Sequence, residues 1–138
     1  SYLTAASTTR GKKFGYVFLD CKIEAAPEVT KLYLGRPWRA YAKTVFLRCE
    51  MPEQIAPEGW NNWRNPENEK TVFYAEYQTR GRGANPSARV KWAKQLADKE
   101  AAQYTLTNIF ASCNPDLPAE KDWFLQTTLK PFVWPLKK

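Results

Sequence analysis

The chain has 138 residues, 43% of them hydrophobic, and a formal net charge of +7. This length and apolar content suit one packed domain and are not typical of disorder. The sequence contains no histidine, which excludes Ser-His-Asp and Cys-His catalysis within the chain and argues against a Cys/His zinc site. No apolar run approaches the ~18 residues that a membrane span needs.

The positive charge is spread along the chain. The longest basic runs are the pairs Lys12-Lys13 and Lys137-Lys138. A basic surface favours a polyanion, such as nucleic acid, an anionic membrane or an acidic polysaccharide, although a nucleic-acid arm usually has a denser basic block. Ordinary solvated surface charge is the competing interpretation, and charge alone does not separate the two.

The first elements along the chain are strands that recur at a nearly constant interval. Residues 17–22 resemble residues 45–50 at an offset of 28, and residues 44–47 resemble residues 71–74 at an offset of 27. These segments are rich in β-branched and aromatic residues and are bounded by Gly, Pro or Asn, which is typical of strands. Strands at this interval without a helix between them predict a parallel β-helix. On periodicity alone, a β-sandwich is the alternative.

Stacking the repeated strands in register predicts two ladders of side chains. The inward ladder contains alternate residues of both strands: Val17, Leu19 and Cys21 above Val45, Leu47 and Cys49. The outward ladder contains Phe18, Asp20 and Lys22 beside Phe46, Arg48 and Glu50. Side chains in register on parallel strands are poorly angled for a disulfide, which favours free thiols. In the third copy Glu76 falls at the cysteine position, so that strand either ends early or contains a bulge.

The rest of the chain is predicted to contain two loops, one helix and a tail. The loops are residues 52–70 and 80–88; the second contains two glycines but lacks the strand and helix of a nucleotide-binding loop. Residues 98–110 predict a terminal helix with Asp98 as its N-cap. We expect residues 1–111 to be one β-helical portion that includes this helix, and residues 112–138 to be an irregular tail packed on its exterior.

Residues 33–38 read Tyr-Leu-Gly-Arg-Pro-Trp and carry the most specific motif in the chain. The segment resembles the Leu-Gly-Arg-Pro-Trp signature of the pectin methylesterases. Other segments resemble the same family in the family's order, namely residues 15–23, 42–46, 57–63, 74–77, 81–84, 89–92 and 101–106. The resemblance therefore covers roughly residues 2–110, and so many ordered matches argue against chance.

The resemblance implies an all-β fold, a right-handed parallel β-helix, and hydrolysis of the methyl esters of polygalacturonate to methanol and free carboxylates. In the family one Asp is the nucleophile, a second Asp is general acid and then base, and glutamines stabilise the oxyanion. A carboxylate nucleophile with fixed hydrogen-bond donors suits ester hydrolysis without a metal, so no cofactor is expected. The implied partner is pectin, that is homogalacturonan, and neither nucleic acid nor a membrane.

Three residues of this chain match functional positions of the family. Arg36 is the candidate catalytic residue, because its guanidinium fork can orient the nucleophilic carboxylate and keep it ionised. Trp38 matches the cleft tryptophan that contacts the sugar, and we expect Trp60 to be a second aromatic of the cleft. Trp63 and Trp92 are interpreted as structural. Arg89 is expected to pair locally or to pack along its stem.

The family's catalytic aspartates lie before the matched segment, and their motifs, Gln-Asp-Thr-Leu and Asp-Phe-Ile-Phe-Gly, do not occur here. Asp20 lies in neither motif. The chain also opens without a leader, as a mature or excised product would. It is then a piece expressed by design, a proteolytic product, or a chain that pairs with the missing N-terminal half. We expect the isolated chain to be inactive and to associate through its open first strand or to need that half.

Two other functions compete with the esterase. The first is a non-catalytic β-helix module that binds pectin, keeping the aromatic and basic cleft without the chemistry. The second is a purely structural β-helix, which would have no need for the Leu-Gly-Arg-Pro-Trp motif. Because family members act on an extracellular polymer, the resemblance implies a secreted or periplasmic protein.

Overall fold

The structure is a computed structural model and describes residues 1–111. Its strands are β1 (Ala5–Ala6), β2 (Tyr16–Leu19), β3 (Arg36–Pro37), β4 (Lys43–Leu47), β5 (Phe73–Tyr77) and β6 (Lys94–Gln95). Its helices are α1 (Asn68–Thr71), α2 (Asp98–Ala101) and α3 (Leu106–Ala111), with a short 3-10 helix at Pro86–Ala88. No helix within residues 1–111 is long and apolar enough to cross a membrane. The predicted tail, residues 112–138, lies outside the described residues.

The strands form two sheets, and every strand pair within residues 1–111 is parallel. One sheet pairs β1 with β3, and the other has the order β2-β4-β5-β6. Strands thus follow one another across the larger sheet in chain order, without a hairpin, which excludes an antiparallel sandwich. Residues 1–101 form one compact unit that holds both sheets and α2, whereas α3 belongs to a second unit.

The register between β2 and β4 is the one that the repeat predicts, with Val17 opposite Val45 and therefore an offset of 28. The predicted offset of 27 between β4 and β5 is wrong. Val45 lies opposite Ala75, an offset of 30, and Glu76 lies opposite Phe46. All five residues of β4 pair with β5, so the strand neither ends early nor needs a bulge at Glu76.

The predicted facing of β2 and β4 is wrong for the strand residues. The rings of Phe18 and Phe46 stack at 4.5 Å between centroids and belong to the hydrophobic core cluster. Val17 and Leu19 lie outside that cluster, because neighbouring residues of a strand point to opposite faces. Phe18 and Phe46 therefore face the core cluster, whereas Val45 and Leu47 are buried, at 2% and 0% exposure, but lie outside that cluster.

A residue with a left-handed backbone conformation follows each of these strands, and it explains why Cys21 and Cys49 nevertheless face the core. Asp20, Arg48 and Gln78 have φ values of 55°, 54° and 48° at equivalent points after β2, β4 and β5. One left-handed residue interrupts the strand alternation, so the residues that follow, Cys21 and Cys49, return to the core cluster. Both cysteines are free thiols, and both donate weak hydrogen bonds to backbone carbonyls.

A column of aromatic rings runs through the core across successive strands. Phe18 stacks on Phe46, which lies 5.9 Å from Trp60; Trp60 stacks on Tyr74 at 4.3 Å, and Tyr74 lies 6.0 Å from Trp92. Such offset and tilted ring pairs add stabilisation beyond their buried area. Through Trp60, which bridges to Gly35, the column contacts the segment that carries Arg36.

An ion pair is buried beside this column. Arg89 Nε and Nη2 donate to Glu76 Oε2 and Oε1 at 2.7 and 3.1 Å, and the two side chains are 2% and 1% exposed. The guanidinium also donates to the carbonyl oxygens of Pro57 at 3.1 Å and Gly83 at 2.8 Å. Arg89 thus pairs with a residue 13 positions away on β5, and it ties that strand to both predicted loops.

The single helix predicted over residues 98–110 is two short helices, α2 and α3. The helix is interrupted between Ala101 and Leu106. Thr105 caps the start of α3, because its hydroxyl accepts a hydrogen bond from the Asn108 N–H at 3.1 Å. Asp98 is the first residue of α2 rather than its cap. Its carboxylate accepts a hydrogen bond from the Tyr77 hydroxyl at 2.7 Å, while Glu100 accepts from the Ala97 N–H.

Candidate functional site

The segment from Leu34 to Trp38 is fixed by hydrogen bonds on both sides. Leu34 N–H donates to the Gly59 carbonyl at 2.7 Å, Arg36 N–H donates to the Thr4 carbonyl at 3.1 Å, and Trp38 N–H donates to the Ala6 carbonyl at 2.8 Å. Leu34 and Pro37 are buried, Arg36 is half-buried and Trp38 is 60% exposed. The segment therefore anchors itself with its apolar residues and presents Arg36 and Trp38 at the surface.

Gly35 is required by a close approach between this segment and the core. A Cβ at position 35 would clash with Thr4 Oγ1 and would lie 3.1 Å from Cζ3 of Trp60. Trp60 also forms a parallel bridge with Gly35. The indole of Trp60 is thus packed directly under the backbone of the residue before Arg36, where only glycine leaves room.

Three aromatic rings surround the guanidinium of Arg36. Its Cζ lies 3.9 Å from the centroid of Trp63, 5.2 Å from that of Trp38 and 5.7 Å from that of Tyr2. Each distance is within the range of a cation–π contact. Among residues 1–111 no carboxylate forms an ion pair with Arg36. The guanidinium thus lies among aromatic rings, and no carboxylate of the described residues pairs with it.

The sequence predicts a structural role for Trp63, but the structure places its ring beside Arg36. Trp63 is 50% exposed. Two hydrogen bonds from the backbone to asparagine side chains fix its position over Arg36. Asn61 Oδ1 accepts from the Trp63 N–H at 2.7 Å, and Asn62 Oδ1 accepts from the Arg64 N–H at 2.9 Å. Trp63 and Arg64 both have φ of 57°, an uncommon conformation for residues other than glycine. The Asn-Asn pair before Trp63 is a turn signal in the sequence, and it could have identified this tryptophan.

The prediction that Trp60 lines the cleft is wrong. The residue is 1% exposed, its ring stacks on Tyr74, and it belongs to the core cluster. Because the faces of its ring are covered, Trp60 cannot stack on a sugar. Trp60 Nε1 and the Tyr74 hydroxyl have no hydrogen-bond partner within the described part of the chain. Burial raises the pKa of Tyr74, and the positive charge of Arg36 opposes that effect.

A cleft of about 500 Å³ lies against the exposed face of this cluster. Tyr2, Asn61, Trp63 and Arg64 line it, and Tyr2 is itself held by stacking on Tyr33 at 5.3 Å. Flat rings with a few polar groups at their rim suit a sugar polymer, whose pyranose faces are apolar and whose edges are polar. The lining includes Trp63 but neither Trp60 nor the predicted site residues Arg36 and Trp38.

The aspartates of residues 1–111 are engaged away from Arg36. Asp20 accepts two hydrogen bonds from Arg48, at 2.6 and 3.0 Å, and the hydrogen bond from this guanidinium lowers the pKa of its carboxyl. Asp98 accepts from Tyr77. No cluster of three or more potential metal-binding side chains occurs within residues 1–111. The described residues therefore place an arginine and aromatic rings together, without a nucleophile beside them.

The chain resembles known pectinesterases in both sequence and structure. A pectinesterase/pectinesterase inhibitor of Brassica campestris is 37% identical over 123 residues, which are 83% of this chain and 22% of the relative. The pectin methylesterase from carrot superposes with a TM-score of 0.75 at 30% identity, over 98% of this chain and 43% of the carrot protein. A pectin methylesterase in complex with a hexasaccharide superposes with a TM-score of 0.65 at 32% identity, over 85% of this chain and 40% of that protein.

The chain thus spans less than half the length of the relatives it matches. The family model for pectinesterases matches residues 1–113, which include both sheets and the segment around Arg36. From this match and these identities, the chain belongs to the pectinesterase family.

Proposed function

We propose that this chain is part of a pectin methylesterase, which hydrolyses the methyl esters of polygalacturonate to methanol and free carboxylates. The observation that carries the proposal is the setting of Arg36, whose guanidinium is covered by aromatic rings and bound to no carboxylate of residues 1–111. A guanidinium can contact aromatic rings and still donate its in-plane N–H groups to a carboxylate. An arginine in this setting can bind and orient a nucleophilic carboxylate from another part of the protein.

The fold that we infer for the whole protein is a right-handed parallel β-helix. Four parallel strands follow in chain order at offsets of 28, 30 and 19 residues, and left-handed residues recur after each of the first three strands. These features support a stack of similar coils. Residues 1–111 would then be coils of its C-terminal portion, and the N-terminal half of the enzyme, in cis or as a separate chain, would complete the site.

The proposed roles follow from where the side chains lie. Arg36 would orient the nucleophilic aspartate and keep it ionised, because a fixed cation favours the charged form of a neighbouring carboxyl. Trp38 and Trp63 would form the platform for the sugar chain, so the role that we first gave to Trp60 passes to Trp63. No metal or other cofactor enters these roles. The carboxylate would attack the ester, and donors outside the described residues would stabilise the oxyanion.

The alternative is a non-catalytic module that binds pectin through the same cleft. It draws support from Asp20 and Asp98, both of which are bonded elsewhere. The two functions differ in what precedes the chain, because only the enzyme needs the two aspartate motifs upstream. Both imply a secreted or periplasmic protein, since the substrate is an extracellular polymer.

The test is methanol release from highly methylated pectin by the full-length protein that the parent gene encodes. We expect activity from that protein and none from the 138-residue chain alone. Arg36→Gln in the full-length protein should lower kcat by roughly 10²–10³-fold, as is typical for a lost electrostatic group, and Arg36→Lys should restore only part of it. Pectin binding without methanol release would favour the non-catalytic module, and full activity of Arg36→Gln would contradict the role of Arg36.

A further inference from the structure

The indole of Trp63 is not held beside Arg36 by burial. Its side chain is 50% exposed, yet its ring centroid lies 3.9 Å from the Arg36 Cζ. Trp63 and the next residue, Arg64, both have φ of 57°. Residues other than glycine keep this conformation only where their surroundings enforce it. The position of the ring therefore depends on the hydrogen bonds of the loop that carries it.

The first asparagine turn of this loop is anchored to the segment that carries Arg36. Asn61 Oδ1 accepts the Trp63 N–H at 2.7 Å, and the Asn61 N–H donates to the Gly35 carbonyl at 3.1 Å. Because Gly35 directly precedes Arg36, this turn is attached to the backbone of the candidate site. It fixes the N–H of Trp63, but it leaves Arg64 to be fixed by another contact.

The second asparagine turn is anchored to the helix α1. Asn62 Oδ1 accepts the Arg64 N–H at 2.9 Å, and the Asn62 side-chain amide donates to Glu69 Oε1 at 2.8 Å. The Asn62 carbonyl also accepts from the Asn68 side-chain amide at 3.1 Å. Asn62 and its two partners on α1 are half-buried, whereas residues 63–67 are exposed. Side chains of α1 thus close the loop at its base.

The helix α1 has its own attachment to the chain that follows Trp38. The Tyr41 N–H donates to Thr71 Oγ1 at 3.2 Å, and Thr71 is the last residue of α1. The backbone of Glu69 is therefore fixed independently of the loop. Its hydrogen bond to Asn62 connects the loop to a support that also contacts the other side of the candidate site.

A second glutamate near the start of α1 has no such connection. Glu67 pairs with Lys70 at 2.8 Å, and both side chains are exposed. Within residues 1–111 Glu69 occurs in none of the ion pairs, and its carboxylate accepts the Asn62 amide. The chain thus offers two glutamates in one short segment, of which only Glu69 bonds to the asparagine turn.

We propose that Glu69 is a positioning residue for the cleft. Through Asn62 it holds the loop in the conformation that places Trp63 against Arg36. The inference rests on the function proposed above, because it takes Trp63 as part of the sugar platform. Without the bond, Trp63 and Arg64 would relax toward right-handed conformations, and the ring would leave the guanidinium. Sugar binding and the shielding of Arg36 would then weaken together.

The experiment compares three variants of the full-length protein. The test variant is Glu69→Ala, which removes the acceptor. The conservative variant, Glu69→Gln, keeps an oxygen for the Asn62 amide. The matched control is Glu67→Ala, which breaks the exposed pair with Lys70. One readout is kcat and KM for methanol release from methylated pectin. The other needs no substrate: trypsin cleavage after the exposed Arg64, followed by mass spectrometry, reports how often the loop opens.

Glu69→Ala should raise KM and lower kcat, so that kcat/KM falls about tenfold, which is the lower range for a lost hydrogen bond to a charged group. Cleavage after Arg64 should accelerate by about the same factor. Glu69→Gln and Glu67→Ala should both stay within about threefold of the wild type. A merely structural role would reduce the amount of folded protein and so lower kcat with KM unchanged.

An exchange of donor and acceptor tests the bond itself. Asn62→Asp keeps an oxygen for the Arg64 N–H but places a carboxylate against Glu69, so it should impair the protein as Glu69→Ala does. In the double variant Asn62→Asp/Glu69→Gln the new amide can donate to the new carboxylate. The double variant should therefore recover most of the lost kcat/KM and slow the cleavage after Arg64.

Equal effects of Glu69→Ala and Glu67→Ala on KM and on cleavage would overturn the inference, and so would a double variant as impaired as Asn62→Asp. Failure of the proposed function is a different result, in which the wild-type protein releases no methanol. Faster cleavage after Arg64 in Glu69→Ala alone would then still support the role of Glu69 in holding the loop, and unchanged cleavage would overturn it.

Discussion

Replacing Arg89 by methionine should destabilise the protein strongly, because it leaves a carboxylate alone in the core. Glu76 is 1% exposed and receives two hydrogen bonds from Arg89. In the variant its remaining side-chain donor is the Thr79 hydroxyl, at 3.1 Å. The carbonyls of Pro57 and Gly83 lose a donor as well. Removing one partner of a buried pair costs about 3–5 kcal/mol.

The assay is urea unfolding followed by tryptophan fluorescence. With an m-value of about 2 kcal/mol/M, a loss of about 4 kcal/mol lowers the unfolding midpoint by about 2 M. The double variant Arg89→Met/Glu76→Met should lose less than Arg89→Met alone, because it removes the unpaired charge. The matched control is Arg82→Met, which breaks the exposed pair of Arg82 with Glu53 and should cost under about 1 kcal/mol.

The reasoning fails if Arg89→Met shifts the midpoint no more than Arg82→Met does. It also fails if the free energy of unfolding of the double variant falls by the sum of two large single effects. That outcome would mean that Arg89 and Glu76 stabilise the fold independently. Arg89→Lys tests the geometry separately. A lysine keeps the charge but cannot reach the oxygens of Glu76, Pro57 and Gly83 from one planar fork, so it should lie between the wild type and the methionine variant.

Two further predictions concern the core beside the cleft. Gly35→Ala should destabilise the chain by about 1–3 kcal/mol through overpacking against Thr4 and Trp60, measured by the same urea unfolding; an unchanged midpoint would contradict the close approach. The chain has a third cysteine, Cys113, which a Cys113→Ser substitution removes. In that background a maleimide at pH 8 should label Cys21 well before Cys49, because burial raises the pKa of the Cys49 thiol and so keeps it protonated at that pH. Equal labelling rates in the native protein would refute this.

The sequence predicts which strands repeat, but not which side of each strand faces inward. Matching segments fix the register of β2 on β4, because their residues align one to one. Both faces of these strands are apolar, so alternation offers no polar face to mark the outside. The deciding feature is the left-handed conformation of Asp20 and Arg48, which sets where the alternation resumes. The offset of β5 also escapes prediction, since the preceding loop contains the helix α1.

The same limit applies to the candidate site. A specific motif identifies Arg36 and Trp38, whereas Trp60 and Trp63 lie three residues apart in one turn and differ only in direction. The parallel bridge from Trp60 to Gly35 places one indole in the core, and the two asparagine turns place the other at the surface. The direction of each indole depends on which carbonyls and rings lie across the sheet. A single sequence does not contain that information.

If the proposed function holds, the arrangement around Arg36 lets sugar binding and ester hydrolysis share one small surface. A guanidinium can attract rings through its flat faces and bind carboxylates through N–H groups in its plane, so the contact with Trp63, 3.9 Å from the Cζ of Arg36, is compatible with an aspartate at the edge. Because the ring also excludes water from that face, the interaction with the carboxylate is less screened. The tryptophans that would hold the sugar would therefore also strengthen the effect of Arg36 on the nucleophile, and loss of Trp63 should weaken both binding and turnover.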